Sequence, residues 1–308
     1  MSQVERPLPG PVAPRRGWRV VSDYVAITKP RIIELLIVTA IPTMILAARG
    51  WPDLQVALAV LVGGALAAAG ANTYNSVYDR DIDALMARTH HRPVASGAIS
   101  ARAGVIWASL LSLSSVAVLW IFANALSAAL AVAAIVFYAV GYTILLKRRT
   151  PQNIVWGGAA GCMPVLIAWA AVTGSLSWTP VVLFLIVFWW TPPHYWPLSL
   201  RFKEDYAAAG VPMLPVVADV RAVTRSIVIY SWVMVVTSLV LIPVARMGWI
   251  YAISAVALGT VFLVEAYRLR NRARAGMDDP RPMRLFHWSI TYLALLFLAV
   301  AIDPFVSS

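Results

Sequence analysis

The chain has 308 residues, of which 60% are hydrophobic and only 13% charged, with mean hydropathy +0.75 and formal charge +11. A water-facing surface carries far more Lys, Glu, Asp and Arg than this, so a soluble enzyme and a disordered chain are both excluded. About 185 apolar residues, at roughly 20 per bilayer crossing, provide for about nine spanning helices.

Residues 1–28 are polar and proline-rich and read as a flexible cytoplasmic arm, with no cleavable signal ahead of the first span. Apolar runs of spanning length follow near 32–49, 55–77, 103–122, 127–146, 153–173, 179–197, 223–244, 248–267 and 286–302. The expected fold is therefore all-α: a polytopic membrane protein whose residues 29–308 form nine transmembrane helices. Of the 25 Lys and Arg, only Arg49 and Arg246 fall in the short connectors. The other 23 lie in or beside the amino-terminal arm and the loops after spans two, four, six and eight. The positive-inside rule makes those segments cytoplasmic, in a plasma or inner membrane, with the amino terminus inside and the carboxyl terminus outside. This topology accounts for the positive charge. No basic stripe interleaved with aromatics accompanies it, so nucleic acid is not an expected partner. Cys162 stands alone, which leaves no disulfide framework and no Cys-based metal site.

Two cytoplasmic loops, 78–102 and 198–222, gather carboxylates, bases, Gly and Pro. The first follows Asn75-Ser-Val-Tyr-Asp79-Arg-Asp-Ile-Asp83. Residues four apart share a helix face, so Asn75, Asp79 and Asp83 form a line of oxygen ligands, with Asn72 one turn earlier and Asp81 directed away. Oxygen-only ligands in this arrangement suit Mg²⁺ completed by substrate phosphates, which implies a diphosphate substrate. Arg88 and Arg92, four apart, and Lys147 with Arg148 in the next cytoplasmic loop suit a departing anion. The bland alternative is a solvated interfacial face. In the second loop, Lys203 and Asp205 read equally as a local ion pair or, combined with the first loop, as a phosphate contact and a second metal ligand.

These residues resemble the UbiA-type intramembrane prenyltransferases. The resemblance rests on the Asn-x-x-x-Asp-x-x-x-Asp line, the Arg-Thr-x-x-Arg-Pro that follows it, Tyr142-Thr-Ile-Leu-Leu-Lys147-Arg148, and nine spans, and it covers residues 24–303. Within that family, Lys29-Pro-Arg-Ile-Ile-Glu34, Arg148-Arg-Thr-Pro-Gln-Asn153, Pro192-Pro-His194 and the run Asp205 to Pro215 are similar to the branch that farnesylates haem. Ser76 stands where many relatives have an acidic residue, and Lys203-Glu-Asp-Tyr206 stands where a second carboxylate pair would be, which leaves the number of Mg²⁺ ions open.

The resemblance implies that farnesyl diphosphate ionises at its allylic C–O bond, that a vinyl group of haem B captures the cation, and that water supplies a hydroxyl. It also implies a downstream haem A synthase as partner, besides the bilayer itself. Asp79, Asp83, Lys203 and Asp205 are then the catalytic candidates, and Asn75, Asp79, Asp83 and Asp205 the metal candidates. Substrate binding falls to Asn72, Asn75, Arg88, Arg92, Tyr142, Lys147, Arg148, Asn153, His194 and Tyr206. His194 reads either as an axial or acceptor-orienting group or as a hydrogen-bonding residue at a proline-broken helix end. Glu34 with Arg31, and Glu265 with Arg268, read as snorkelling ion pairs. An aromatic quinone precursor is the rival acceptor. Transport is disfavoured because the charges gather at one membrane face.

Overall fold

In lipid a backbone N–H or C=O has no water to pair with, so each long apolar run closes its hydrogen bonds within itself as a helix. The computed structural model describes residues 17–277 and 279–306, with residues 31–36 described by backbone only. Every secondary-structure element among them is helical. In chain order these are α1 (Gly17–Ala26), α2 (Pro30–Ala48), α3 (Leu54–Tyr78), α4 (Arg80–Leu85), α5 (Ala101–Phe122), α6 (Ala125–Val136) running on as a π-helix (Phe137–Leu146), and α7 (Asn153–Thr173). There follow α8 (Trp178–Arg201), α9 (Lys203–Ala208), α10 (Leu214–Val217), α11 (Val220–Ala245), α12 (Trp249–Arg274) and α13 (Pro282–Val306).

Each of the nine apolar runs overlies one long helix, with α6 and its π-helical continuation counted as one. Seven of these are long and apolar enough to cross a membrane. The other two are α2, with a shorter apolar stretch at Ile37–Ala48, and α8, whose second half carries Thr, His, Tyr and three prolines. Of the arm expected at residues 1–28, residues 17–26 form α1, and residues 1–16 lie outside the described residues. The side chains of Glu34 and Arg31 also lie outside them.

Small residues let α3 and α5 approach closely, as suits helices whose apolar faces gain nothing from leaving lipid. A Cβ on Gly70 would sit 2.4 Å from Ser112 Oγ and 3.1 Å from the carbonyl oxygen of Ala108. The larger core joins α7, α8, α11, α12 and α13; the smaller joins α2, α3, α5, α6 and α7. At the end of the bundle remote from the charged loops, the buried Asp303 of α13 accepts from the backbone N–H groups of Gly248 (2.6 Å) and Tyr251 (3.0 Å), capping the start of α12. Glu265 pairs with Arg268 (2.6 Å) as expected, and additionally with Arg284 of α13 (2.8 Å).

Candidate active site

The site is built on the end of α3. The helix breaks at Asp79 (φ −83°, ψ 6°), yet the i to i+4 backbone bonds persist across the break: Asp79 N–H to Asn75 O, 2.9 Å, and Asp83 N–H to Asp79 O, 2.8 Å. Asn75, Asp79 and Asp83 thus keep one line through the kink, and all three are buried. Asp81 instead projects outward, its side chain 61% exposed.

The π-helix faces this line. Its wider turn closes i to i−5, as in Lys147 N–H to Tyr142 O at 2.8 Å. Thr143 and Lys147 both reach α3 from this turn. Asn75 Nδ2 donates to Asp79 Oδ2 (2.7 Å) and to Thr143 Oγ1 (3.1 Å), and Lys147 Nζ donates to Asp79 Oδ2. Arg148 reaches Asp79 at 3.4 Å and holds Asp81 in a two-pronged pair at 2.6 and 2.7 Å. That hydrogen-bonded pairing pulls the Asp81 carboxyl down to about 2. Arg92 Nη1 contacts both oxygens of Asp83 at 2.8 Å.

Lys29 completes the cluster, although the sequence did not single it out for this role. It sits in the left-handed region (φ 55°, ψ 62°) just before Pro30, an unusual conformation that the fixed ring of Pro30 follows directly into α2. Its ammonium donates to Asn75 Oδ1 at 2.6 Å. Burial, together with Arg92 and Lys147 nearby, pushes its pKa down to about 7. The turn before it is tied to α3, since Asn72 Nδ2 donates to the Thr28 carbonyl (3.3 Å) and Ser76 Oγ to that of Ile27 (3.5 Å). The only advance signal was the Lys-Pro pair at the start of the first span.

Other candidates lie around this centre. Arg88 Nη2 donates to the Tyr206 hydroxyl (3.4 Å), which pairs with the hydroxyl of Tyr195 (2.9 Å). Burial pushes the Tyr206 phenol up. Tyr142 stacks on Tyr138 with centroids 5.4 Å apart, and its ring occupies the space a side chain on Gly157 would need. Asn153 Nδ2 donates to the Lys147 carbonyl (3.0 Å). His194 lies between Trp190 and Phe286 and bonds Ser289, with no hydrogen bond or ion pair to the carboxylates among the described residues. Lys203 is exposed and Asp205 half-buried at the start of α9, and neither side chain has a hydrogen bond or ion pair among the described residues. No group of three or more Asp, Glu, His or Cys side chains poised to hold a metal occurs among the described residues. Asp79 and Asp83 are therefore not joined by Asp205 in such a group.

Asn72 and Tyr138 mark where this polar cluster gives way to an apolar cavity within the bundle, walled by Ala40, Gly64, Ala67, Ala71, Ile135 and Gly161. A cluster of buried carboxylates and cations at the mouth of an apolar intramembrane cavity is a site for an amphiphile with an anionic head.

The UbiA prenyltransferase family matches residues 36–290. The chain belongs to that family. Curated relatives agree over nearly the whole length: it is 52% identical to Protoheme IX farnesyltransferase of Pseudarthrobacter chlorophenolicus, covering 99% of this chain and 97% of that one. It is 55% identical to the protein of the same name from Streptomyces coelicolor, covering 93% and 91%. Among solved structures it shares the fold of a UbiA homologue from Archaeoglobus fulgidus bound to GPP and Mg²⁺, with a TM-score of 0.62 and 18% identity over 91% of this chain and 99% of that one. The all-helical UbiA fold expected from the sequence is the fold the chain adopts, with seven of the nine expected spans long and apolar enough to cross a membrane among the described residues.

Proposed function

We propose that this UbiA-family protein converts haem B to haem O, transferring farnesyl from farnesyl diphosphate to a haem vinyl group with addition of water. The carrying observation is the buried Asn75–Asp79–Asp83 line, ringed by Lys29, Arg92, Lys147 and Arg148, at the mouth of the apolar cavity. The haem acceptor is supported by full-length relatives that bear the protohaem name.

The donor set fits Mg²⁺. It consists of two carboxylates and an amide oxygen, all hard oxygen ligands. Two further polar atoms, Nε of Arg148, whose guanidinium contacts Asp79, and Oδ1 of Asn153, whose amide nitrogen bonds the Lys147 carbonyl, are buried without a hydrogen-bond partner among the described residues, a donor and an acceptor free for a polar ligand. Asp79, Asp83 and Asn75 would hold the ion, which when bound neutralises charge on the diphosphate. The cations that pair with these carboxylates, Lys147 and Arg148 with Asp79 and Arg92 with Asp83, lie where they would also reach a diphosphate. Lys147, Arg148, Arg92 and Lys29 bind the diphosphate and stabilise it as the allylic C–O bond breaks and charge accumulates on the leaving oxygens. Arg88 and the exposed Lys203 extend this cationic rim, with Asp205 beside them.

The cavity takes the isoprenoid chain and keeps bulk water from the allylic cation. The vinyl group's terminal carbon bonds to C1 of the farnesyl cation. Water adds its oxygen to the other vinyl carbon and loses one proton, leaving a hydroxyethylfarnesyl haem and free diphosphate. The Lys and Arg distribution supports a site facing the cytoplasm, with the amino terminus on that side. The product stays anchored in lipid by its new tail, so a haem A synthase that consumes it would work in the same membrane.

Incubating the purified chain with haem B, farnesyl diphosphate and Mg²⁺ should yield haem carrying a hydroxyethylfarnesyl group by mass spectrometry. Product formed only with benzoate or naphthoate acceptors would overturn the haem assignment.

A further inference from the structure

His194 is held more closely than packing requires. Its ring lies between Trp190 (centroids 4.1 Å apart, planes 14° apart) and Phe286 (4.7 Å, 25°). Its Nδ1 is 2.6 Å from Ser289 Oγ. The Ser289 hydroxyl has one proton and donates it to the Phe286 carbonyl at 2.6 Å, an oxygen that can only accept. Ser289 therefore accepts from the imidazole, and the proton on the ring is on Nδ1. The backbone of Ser289 is itself fixed, since Trp190 Nε1 donates to its carbonyl at 2.8 Å.

This chain of hydrogen bonds leaves Nε2 with the lone pair. No residue among those described hydrogen-bonds to Nε2, no carboxylate contacts the ring to hold it as the imidazolium, and the residue is only partly buried. A neutral imidazole whose Nδ1–H is anchored, whose plane is clamped and whose Nε2 is unpaired has the preparation of a metal ligand. The Asp79 cluster has no use for it, being made of hard oxygen donors and cations.

We infer that His194 binds the iron of the haem acceptor through Nε2, and that Ser289 is the positioning residue that fixes its tautomer and ring plane. The inference rests on the haem reading above. It gives the acceptor a point of attachment separate from the diphosphate site, which is what holding two large substrates at once requires.

The test is the iron–histidine stretching band in the resonance Raman spectrum of the full chain, purified in detergent and loaded with ferrous haem B. Wild type should show the band. His194→Ala should lose it, recover it on adding imidazole, and bind haem about tenfold or more weakly. Ser289→Ala should keep the band at lower frequency, because Nδ1–H has lost its acceptor and the ring donates less to iron, while Ser289→Thr should restore it. Serine's effect on the band is a readout that a merely structural role would not move, and it stands even where His194→Ala fails to fold. An unchanged band in His194→Ala overturns the ligation, and an unmoved band in Ser289→Ala overturns the role of Ser289. A wild-type protein that farnesylates haem yet shows no band overturns the ligation and leaves the acceptor assignment standing. One that neither binds nor farnesylates haem overturns the acceptor assignment, and the ligation with it.

Discussion

Lys29 and Asn75 are 46 residues apart in the chain, and the ammonium of one donates to the amide oxygen of the other at 2.6 Å. The contact brings the entry to the first span onto the ligand face of α3 and sets a cation beside the proposed diphosphate position. Removing a charge-assisted contact of this kind costs about 2 kcal/mol, so Lys29→Met should lower kcat/KM for farnesyl diphosphate roughly 30-fold. Lys29→Arg should recover part of this. Steady-state kinetics against the diphosphate donor check it, and a Lys29→Met enzyme with wild-type kcat/KM would remove the residue from the site.

Asp79, Asp81 and Asp83 lie within five residues of one another but differ in setting, and so should their variants. Asp79 and Asp83 are buried and point into the cluster, whereas the Asp81 pair with Arg148 is solvent-exposed, and exposed pairs contribute about 0–1 kcal/mol. Asp79→Asn or Asp83→Asn should reduce turnover about 10³-fold or more, as should chelation of Mg²⁺, while Asp81→Asn costs about fivefold or less. Asparagine is the better probe than alanine, because emptying the Asp79 position would leave the half-buried Lys147 without its partner and confuse loss of folding with loss of chemistry. Turnover of detergent-purified variants with matching size-exclusion profiles decides the ranking, and equal losses for all three would mean that Asp81 also reaches the ligands.

The ladder at Asn75, Asp79 and Asp83 was legible because helical geometry fixes the relation of residues four apart, and the backbone bonds carry that relation even through the break at Asp79. The spans were legible because lipid imposes both their length and their composition. Lys29 was not, because nothing local brings residue 29 to residue 75; only the left-handed turn before Pro30 and the docking of α2 on α3 do so. The π-helix at Phe137–Leu146 left no periodic signal either, since its apolar residues read equally well as ordinary helix. Lys147 was found from its charge, but its direct pairing with Asp79 depends on that π-helical turn.

Gly157 makes room for Tyr142. A Cβ there would lie 2.3–2.4 Å from the tyrosine ring, a distance no pair of atoms tolerates, so Gly157→Ala must displace the ring or the helix carrying it. Activity should fall about tenfold. Combining Gly157→Ala with Tyr142→Ala should cost clearly less than the two losses added together, since the clash vanishes with the ring. A double-mutant cycle on kcat/KM reads the coupling, and strict additivity would show that the two positions act independently.

Asp303 tests the fold apart from the chemistry. Its carboxylate accepts from Gly248 and Tyr251 at the start of α12, far along the chain from the carboxylate ladder. Asp303→Ala takes the acceptor from those donors, buried at Tyr251 and partly buried at Gly248, at a cost of about 1–3 kcal/mol. Thermal unfolding in detergent should shift down by several degrees while kcat and KM at low temperature stay unchanged. Loss of activity without loss of stability would contradict a purely capping role.

Gly161 tests whether the apolar cavity holds the donor's tail. It lines that cavity, and a Cβ added there meets nothing within 4 Å, so a larger side chain enters open space without straining the helix. The substitution should even favour the helix, glycine being about 1 kcal/mol poorer than alanine in a helix interior. Gly161→Phe should therefore leave the protein as stable as wild type while shortening the room for an isoprenoid chain. Its kcat/KM for farnesyl diphosphate should fall about tenfold or more and that for geranyl diphosphate much less, because five carbons fewer need not reach the filled volume. Competition between the two donors, with the haem products weighed by mass spectrometry, measures the ratio directly. An unchanged preference in a folded Gly161→Phe enzyme would place the chain elsewhere in the bundle.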